Sequence, residues 1–138
     1  MTTIDIINKV CRVCEIYQKR SKNGFDFPCL GEMCAVASAF LTKKLRDHRR
    51  KANLIVGQFE GDEHCWVEYH NKIYDITASQ FGKPRIHIVK ASNIDYDKEV
   101  IIDGMDKYRI KKEFDDWDYY QRPTRRTMRK LETIWRNL

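Results

Sequence analysis

Long apolar runs are missing from this chain of 138 residues. No stretch approaches the roughly eighteen consecutive apolar residues of a membrane-spanning helix, so no membrane partner is expected. The opening stretch, MTTIDIINKV, is amphipathic and has no basic cluster ahead of an apolar one, so it does not read as a signal peptide. Cysteine is sparse: five residues, an odd number, far from the density of a disulfide scaffold. These absences point to free thiols in a reducing cytoplasm, although an effector delivered without a readable signal fits the same pattern. Internal repeats, low-complexity tracts and an internal domain boundary are also missing. The length is that of one domain, expected to span residues 1–138.

What is present is globular. Apolar residues make up 42% of the chain and aromatics 12%, enough to bury a core and too many for a disordered chain. The net charge is +6, with much of the excess in Lys43–Lys51 and Arg122–Arg136. These runs read as solvated helix faces or as an attraction to an acidic partner or nucleic acid. No arrangement of aromatics suggests a base-stacking platform, so nucleic acid is not the expected partner.

Thr3 to Lys19 carries Ile6, Ile7, Val10, Cys11, Val13, Cys14 and Tyr17 at helical spacing, with Thr3 or Asp5 near the helix start. Ser21 to Leu30 contains Gly24 and Pro28 and reads as a loop. Gly31–Leu45, GEMCAVASAFLTKKL, predicts a helix with an apolar stripe and small residues for close packing. Strands are expected at Asn53–Phe59, His64–Tyr69, Ile73–Thr77 and Arg85–Val89, with Tyr96–Ile102 as a further, edge strand. Gly61-Asp62-Glu63 reads as a turn, and Phe114–Tyr120 is acidic and aromatic without a clear element. Pro123 opens a last helix with Met128, Leu131, Ile134 and Trp135 on one face and arginines on the other. The class is α+β.

Cys34 sits in the first turn of its helix, where free N–H groups and the helix dipole favour a thiolate. A nucleophilic thiol needs a base, and a base needs an orienting acid. His64 opens a strand whose hairpin partner contains Asp75. If His70 and Asn71 form the turn, Trp66 faces Asp75 and His64 is its diagonal neighbour, roughly 7–8 Å away at the backbone. If Asn71 and Lys72 form it, Glu68 faces Asp75. A three-residue turn would put His64 and Asp75 on opposite faces.

GEMCAVASAFL, GDEHCWVEY and IYDITASQF, in that order, resemble the transglutaminase-like branch of papain-fold cysteine enzymes. The matching features are a cysteine at a helix start, a histidine followed by Trp66 and Val67, and a D-x-T at Asp75–Thr77. The Gln80-Phe81 pair is similar to small bacterial and phage members. The resemblance covers about Gly31 to Phe81. It implies a papain-like fold, with the nucleophile helix packed on an antiparallel sheet. It also implies cofactor-free thiol acyl transfer on a peptide or glutamine-type amide, by hydrolysis, deamidation or transamidation. Cys34, His64 and Asp75 would be nucleophile, base and acid, and Trp66 a wall of the substrate site or core. The family's second oxyanion donor is not identifiable; the Asn23–Leu30 loop is where it would lie. The calcium-site segments of large animal transglutaminases are absent.

Blander readings exist for each residue. Cys34 and His64 can be core, and Asp75 an ordinary acid beside the turn. Cys65 alternates away from His64 and is expected in the core, while His48, His70 and His87 are expected at the surface. Cys11, Cys14, Cys29 and Cys34 could be written as a four-thiolate zinc site. Cys11 and Cys14 lie on an apolar stripe, however, and turn residues typical of zinc knuckles are absent, so no metal is expected. The rival to an enzyme is a non-catalytic relative, or a small basic binding module working through the arginine-rich last helix.

Overall fold

The computed structural model describes residues 1–20, 34–102 and 125–138. The expected loop at Ser21–Leu30, residues Gly31–Met33, the Phe114–Tyr120 segment and Pro123 lie outside them. Among the described residues, three helices accompany an antiparallel sheet of five strands, an α+β arrangement. Helix α1 is Thr3–Arg20, α2 is Cys34–Asp47 and α3 is Arg125–Arg136. Strand β1 is Asn53–Phe59, β2 Asp62–Tyr69, β3 Lys72–Asp75, β4 His87–Lys90 and β5 Tyr96–Ile102. A 3-10 turn, Ala78–Phe81, follows β3. The order across the sheet is β4-β3-β2-β1-β5, so the last strand returns to lie beside the first.

Local chemistry sets the boundaries. The cap of α1 is Thr2, one residue before the expected Thr3. Its hydroxyl accepts the Asp5 N–H at 3.1 Å, and Asp5 Oδ2 accepts the Thr2 N–H at 3.0 Å, a reciprocal capping box. Two hairpins close with two-residue turns. Glu60 and Gly61 have φ 50° and 86°, and His70 and Asn71 have φ 51° and 59°. Positive φ at both central residues is the type I′ signature, whose twist suits the flanking strands. Asp62 and Glu63, expected in the turn, therefore open β2 instead. Strand β3 stops at Asp75, short of the expected Thr77, because Asp75 Oδ1 captures the Thr77 N–H at 3.0 Å. Strand β4 starts at His87, two residues later than expected.

The sheet buries both faces. One carries Leu54, Cys65, Val67 and Ile102 against α1, α2 and α3. Ala35, Ala37 and Ala39 let α2 approach β2 closely, and the Ser38 hydroxyl donates to the Cys65 carbonyl at 3.3 Å. The other face holds Ile55, Phe59, Trp66, Ile73 and Tyr96, with Phe81 and Val89 packed against them. On the helical side, Glu132 of α3 receives Lys43 at 2.8 Å and the buried Lys44 at 2.7 Å, tying α3 to α2. No helix among the described residues is long and apolar enough to cross a membrane.

Candidate active site

Strand β2 pairs with β3 as Val67↔Tyr74, Glu68↔Ile73 and Tyr69↔Lys72, which makes His70 and Asn71 the turn. Of the two-residue alternatives, this is the one that sets Asp75 beside Trp66 with His64 on the diagonal. The side chains meet: His64 Nε2 lies 2.8 Å from Asp75 Oδ2, and both are buried. An ionised carboxylate only accepts, so Nε2 carries the proton of this bond. That leaves Nδ1 for the thiol.

Four donors converge on Asp75. Oδ2 takes His64 Nε2 and the Tyr96 hydroxyl, each at 2.8 Å; Oδ1 takes the Thr77 N–H at 3.0 Å and its hydroxyl at 3.3 Å. The carboxylate has no exposed surface, and these bonds replace the water it has lost. Phe81 stands edge-on to the His64 ring at 5.1 Å, and Phe59 lies 5.9 Å from it, so the imidazole is held in an aromatic sleeve.

Cys34 begins α2 and is partly exposed. Hydrogen bonds from the Cys65 thiol, and from His64 with its charge, outweigh burial and hold the Cys34 thiol down at about 5. The Cys65 backbone N–H adds to this. Cys65 moves the other way, well above an ordinary thiol, because of its bond to Cys34 and its burial. Cys34 thus ionises first and Cys65 stays a donor. Burial alone would lower His64, but its hydrogen bonds to Asp75 and Cys34 prevail and raise it to about 9. Near neutral pH the arrangement is a thiolate beside an imidazolium.

No family model, curated protein or solved structure matches this chain.

The structure brings Cys34, His64 and Asp75 together and treats the other candidates differently. Trp66 is fully buried, its rings 6.2 Å from His64 and 4.9 Å from Tyr96, so it packs as core behind the histidine and offers no surface to a substrate. Of the expected surface histidines, His70 is exposed in its turn. His48 and His87 are half-buried, His48 Nδ1 lying 2.7 Å from the Lys44 carbonyl and His87 stacking on Tyr96 at 6.3 Å. Cys65 is core, as its alternation implied, but it also touches Cys34. Cys11 and Cys14 are buried on α1; burial pushes Cys11 up to about 11 and Cys14 higher still. Among the described residues no group of histidine, cysteine and acidic side chains is placed to hold a metal ion. Cys29 and the Asn23–Leu30 loop lie outside the described residues.

Sequence reasoning missed Tyr96 and the contact of Cys65 with Cys34. Tyr96 was legible only as the first residue of an expected edge strand, and nothing local announces a partner twenty-one residues away.

Proposed function

We propose that this protein is a cysteine-dependent acyl-transfer enzyme of papain-like, transglutaminase-like architecture, acting on a peptide or glutamine-type amide. Cys34 is the nucleophile, His64 the proton carrier and Asp75 the acid that orients it. The observation that carries this reading is the two-sided engagement of His64: its Nε2 faces Asp75 at 2.8 Å while the same ring hydrogen-bonds Cys34. This supplies what the chemistry needs. The Cys34 thiolate attacks the carbonyl carbon, and His64 hands its proton to the leaving nitrogen, giving a thioester and a free amine or ammonia. Neutral His64 then takes a proton from water, or from an acceptor amine. That nucleophile attacks the thioester and the Cys34 thiolate departs, restoring the thiolate–imidazolium pair. Asp75 stabilises the imidazolium in both half-reactions.

The exposed basic residues of α3, Arg125, Arg126, Arg129 and Lys130, favour an acidic protein substrate. The same face is what a non-catalytic binding module would use. A brief, low-dose iodoacetamide pulse followed by intact and peptide mass spectrometry separates the two. The enzyme reading expects Cys34 to be alkylated ahead of the other four cysteines, no such modification in Cys34→Ala, and slower labelling in His64→Ala. First reaction at Cys11 or Cys14 in folded protein overturns it.

A further inference from the structure

Tyr96 reaches the site from the far side of the sheet. β2 and β1 lie between β3 and β5, so in a flat sheet the strands of Asp75 and Tyr96 would be about 14 Å apart. The Tyr96 hydroxyl nonetheless donates to Asp75 Oδ2 at 2.8 Å. Two features close the distance. The β1–β5 register slips: Val56 pairs with Val100 but Gly57 with Lys98, leaving Glu99 as an extra residue on β5. Such a bulge bends its strand, sharpens the twist and re-aims side chains. Opposite the slip stands Gly57. A Cβ there would collide with the Asp97 carbonyl oxygen and come 2.7 Å from Trp66 Cη2. The missing side chain lets the start of β5 fold over the sheet and lets Trp66 lie beneath it.

The phenol is then guided to one oxygen. Its ring packs on Phe59 at 4.5 Å, on Trp66 at 4.9 Å and on His87 at 6.3 Å. Burial and the negative charges of Asp75, Asp95 and Glu60 keep the hydroxyl protonated, so it acts as a donor. Resting on the catalytic reading above, we infer that Tyr96 is a positioning residue that fixes the Asp75 carboxylate from the opposite edge of the sheet, so that Oδ2 faces His64 Nε2. If Tyr96 only filled the core, phenylalanine would serve equally well, since the ring contacts are aromatic and the hydroxyl has this bond. The bulge at Glu99 and the bare backbone at Gly57 then belong to the support of the site.

The test is Tyr96→Phe, read by the pH profile of Cys34 alkylation with iodoacetamide and by ring 15N NMR of His64. The expected variant is folded, with the acid limb of the profile about one pH unit higher and alkylation on that limb about tenfold slower, the size of one hydrogen bond to a charged group. The His64 Nε2–H signal should move or broaden. If the Tyr96→Phe profile and spectrum superimpose on those of the wild type while His64→Ala slows alkylation, Tyr96 is core alone and this inference falls, with the catalytic reading intact. If His64→Ala leaves the wild-type rate unchanged, the catalytic reading falls. The NMR arm still decides Tyr96, and an unaltered Nε2–H signal overturns its positioning role. Should Tyr96→Phe fail to fold, 3,5-difluorotyrosine at position 96 keeps the ring and strengthens the donor; an unaltered His64 signal then overturns the inference.

Discussion

His64 and Asp75 share a hydrogen bond of 2.8 Å because the hairpin between them closes at His70 and Asn71. Side chains alternate along a strand, so the turn length alone decides whether these two residues lie on one face. His70 and Asn71 take φ 51° and 59°, a conformation that costs most residues something and that asparagine tolerates well. The turn thus sets the register, and the register brings the imidazole to the carboxylate.

Asp75→Asn should disable the site. An amide keeps the shape but turns its NH2 toward the two donors that now meet one of the carboxylate oxygens. The imidazole then loses the partner that fixes its tautomer. In a serine triad this change costs about four orders of magnitude, the known example from another protein. A thiol that is already ionised needs less help, so a loss of roughly one to three orders is expected in Cys34 alkylation or amide turnover. The same variant should lose about 1–3 kcal/mol of stability, seen as a lower Tm, from the mismatched buried bonds. Asp62→Asn and Glu63→Gln, both exposed, should change neither readout. Full activity in Asp75→Asn together with loss in Asp62→Asn would require another acid.

The two raised and lowered groups define a pH window. Cys34 is held down to about 5 and His64 is raised to about 9. Alkylation needs the thiolate and should rise through about pH 5, then stay high. On the proposed acyl-transfer reading, amide turnover also needs the imidazolium proton for the leaving nitrogen, so it should rise over the same limb and fall as pH passes about 9. The sign follows from the charges: each partner stabilises the other's ionised form, so both are present between the two values. In His64→Ala the alkylation limb should move upward toward an ordinary thiol, with part of the depression retained through the bonds from Cys65. The check is a paired profile of iodoacetamide labelling and turnover on one preparation.

Much of this was readable in the sequence, and the reasons differ by element. The apolar stripe of α2 and the β-branched residues of β1 are local patterns, and β5 falls on Tyr96–Ile102 as read. The hairpin was narrowed to short turns by three residues, His70-Asn71-Lys72, although choosing between them needed the structure. What failed was long-range or conformational. Trp66 could be core or a wall, and its burial depends on how β5 bends over it. Thr77 leaves its strand because a side chain captures its N–H, a competition no strand pattern encodes. Tyr96 meets Asp75 only after a bulge and a glycine have reshaped the sheet.

Glu132→Ala should separate stability from chemistry. Glu132 sits between Lys43 and Lys44, with Lys44 almost wholly buried and its ammonium 4.7 Å from the Trp135 ring. Removing the carboxylate leaves the buried Lys44 ammonium with only the exposed Asp47 at 3.6 Å, a loss of about 3 kcal/mol when the close partner of a buried pair is deleted. For a chain of this size that is a Tm lower by about 10 °C. The α3 contact is remote from Cys34, so the alkylation rate at 25 °C should match the wild type. A large loss of Cys34 reactivity in this variant would mean that α2 shifts as a body when α3 is released.

Gly57→Ala should do the opposite and strike both properties. The added methyl meets a backbone carbonyl at Asp97 and the tip of the fully buried Trp66. Neither can yield cheaply: the carbonyl belongs to a strand, and the indole is wedged between His64 and Tyr96. Overpacking of this kind costs about 1–3 kcal/mol, so Tm should fall by an amount comparable to that of Glu132→Ala. The relief available is for the start of β5 to swing away from β1. That movement withdraws the Tyr96 hydroxyl from Asp75. Cys34 alkylation in Gly57→Ala should therefore slow to about the rate of Tyr96→Phe, and the double variant should be no slower than either single one. Equal Tm loss with wild-type alkylation would show that β5 yields without moving Tyr96, and that the glycine serves packing alone.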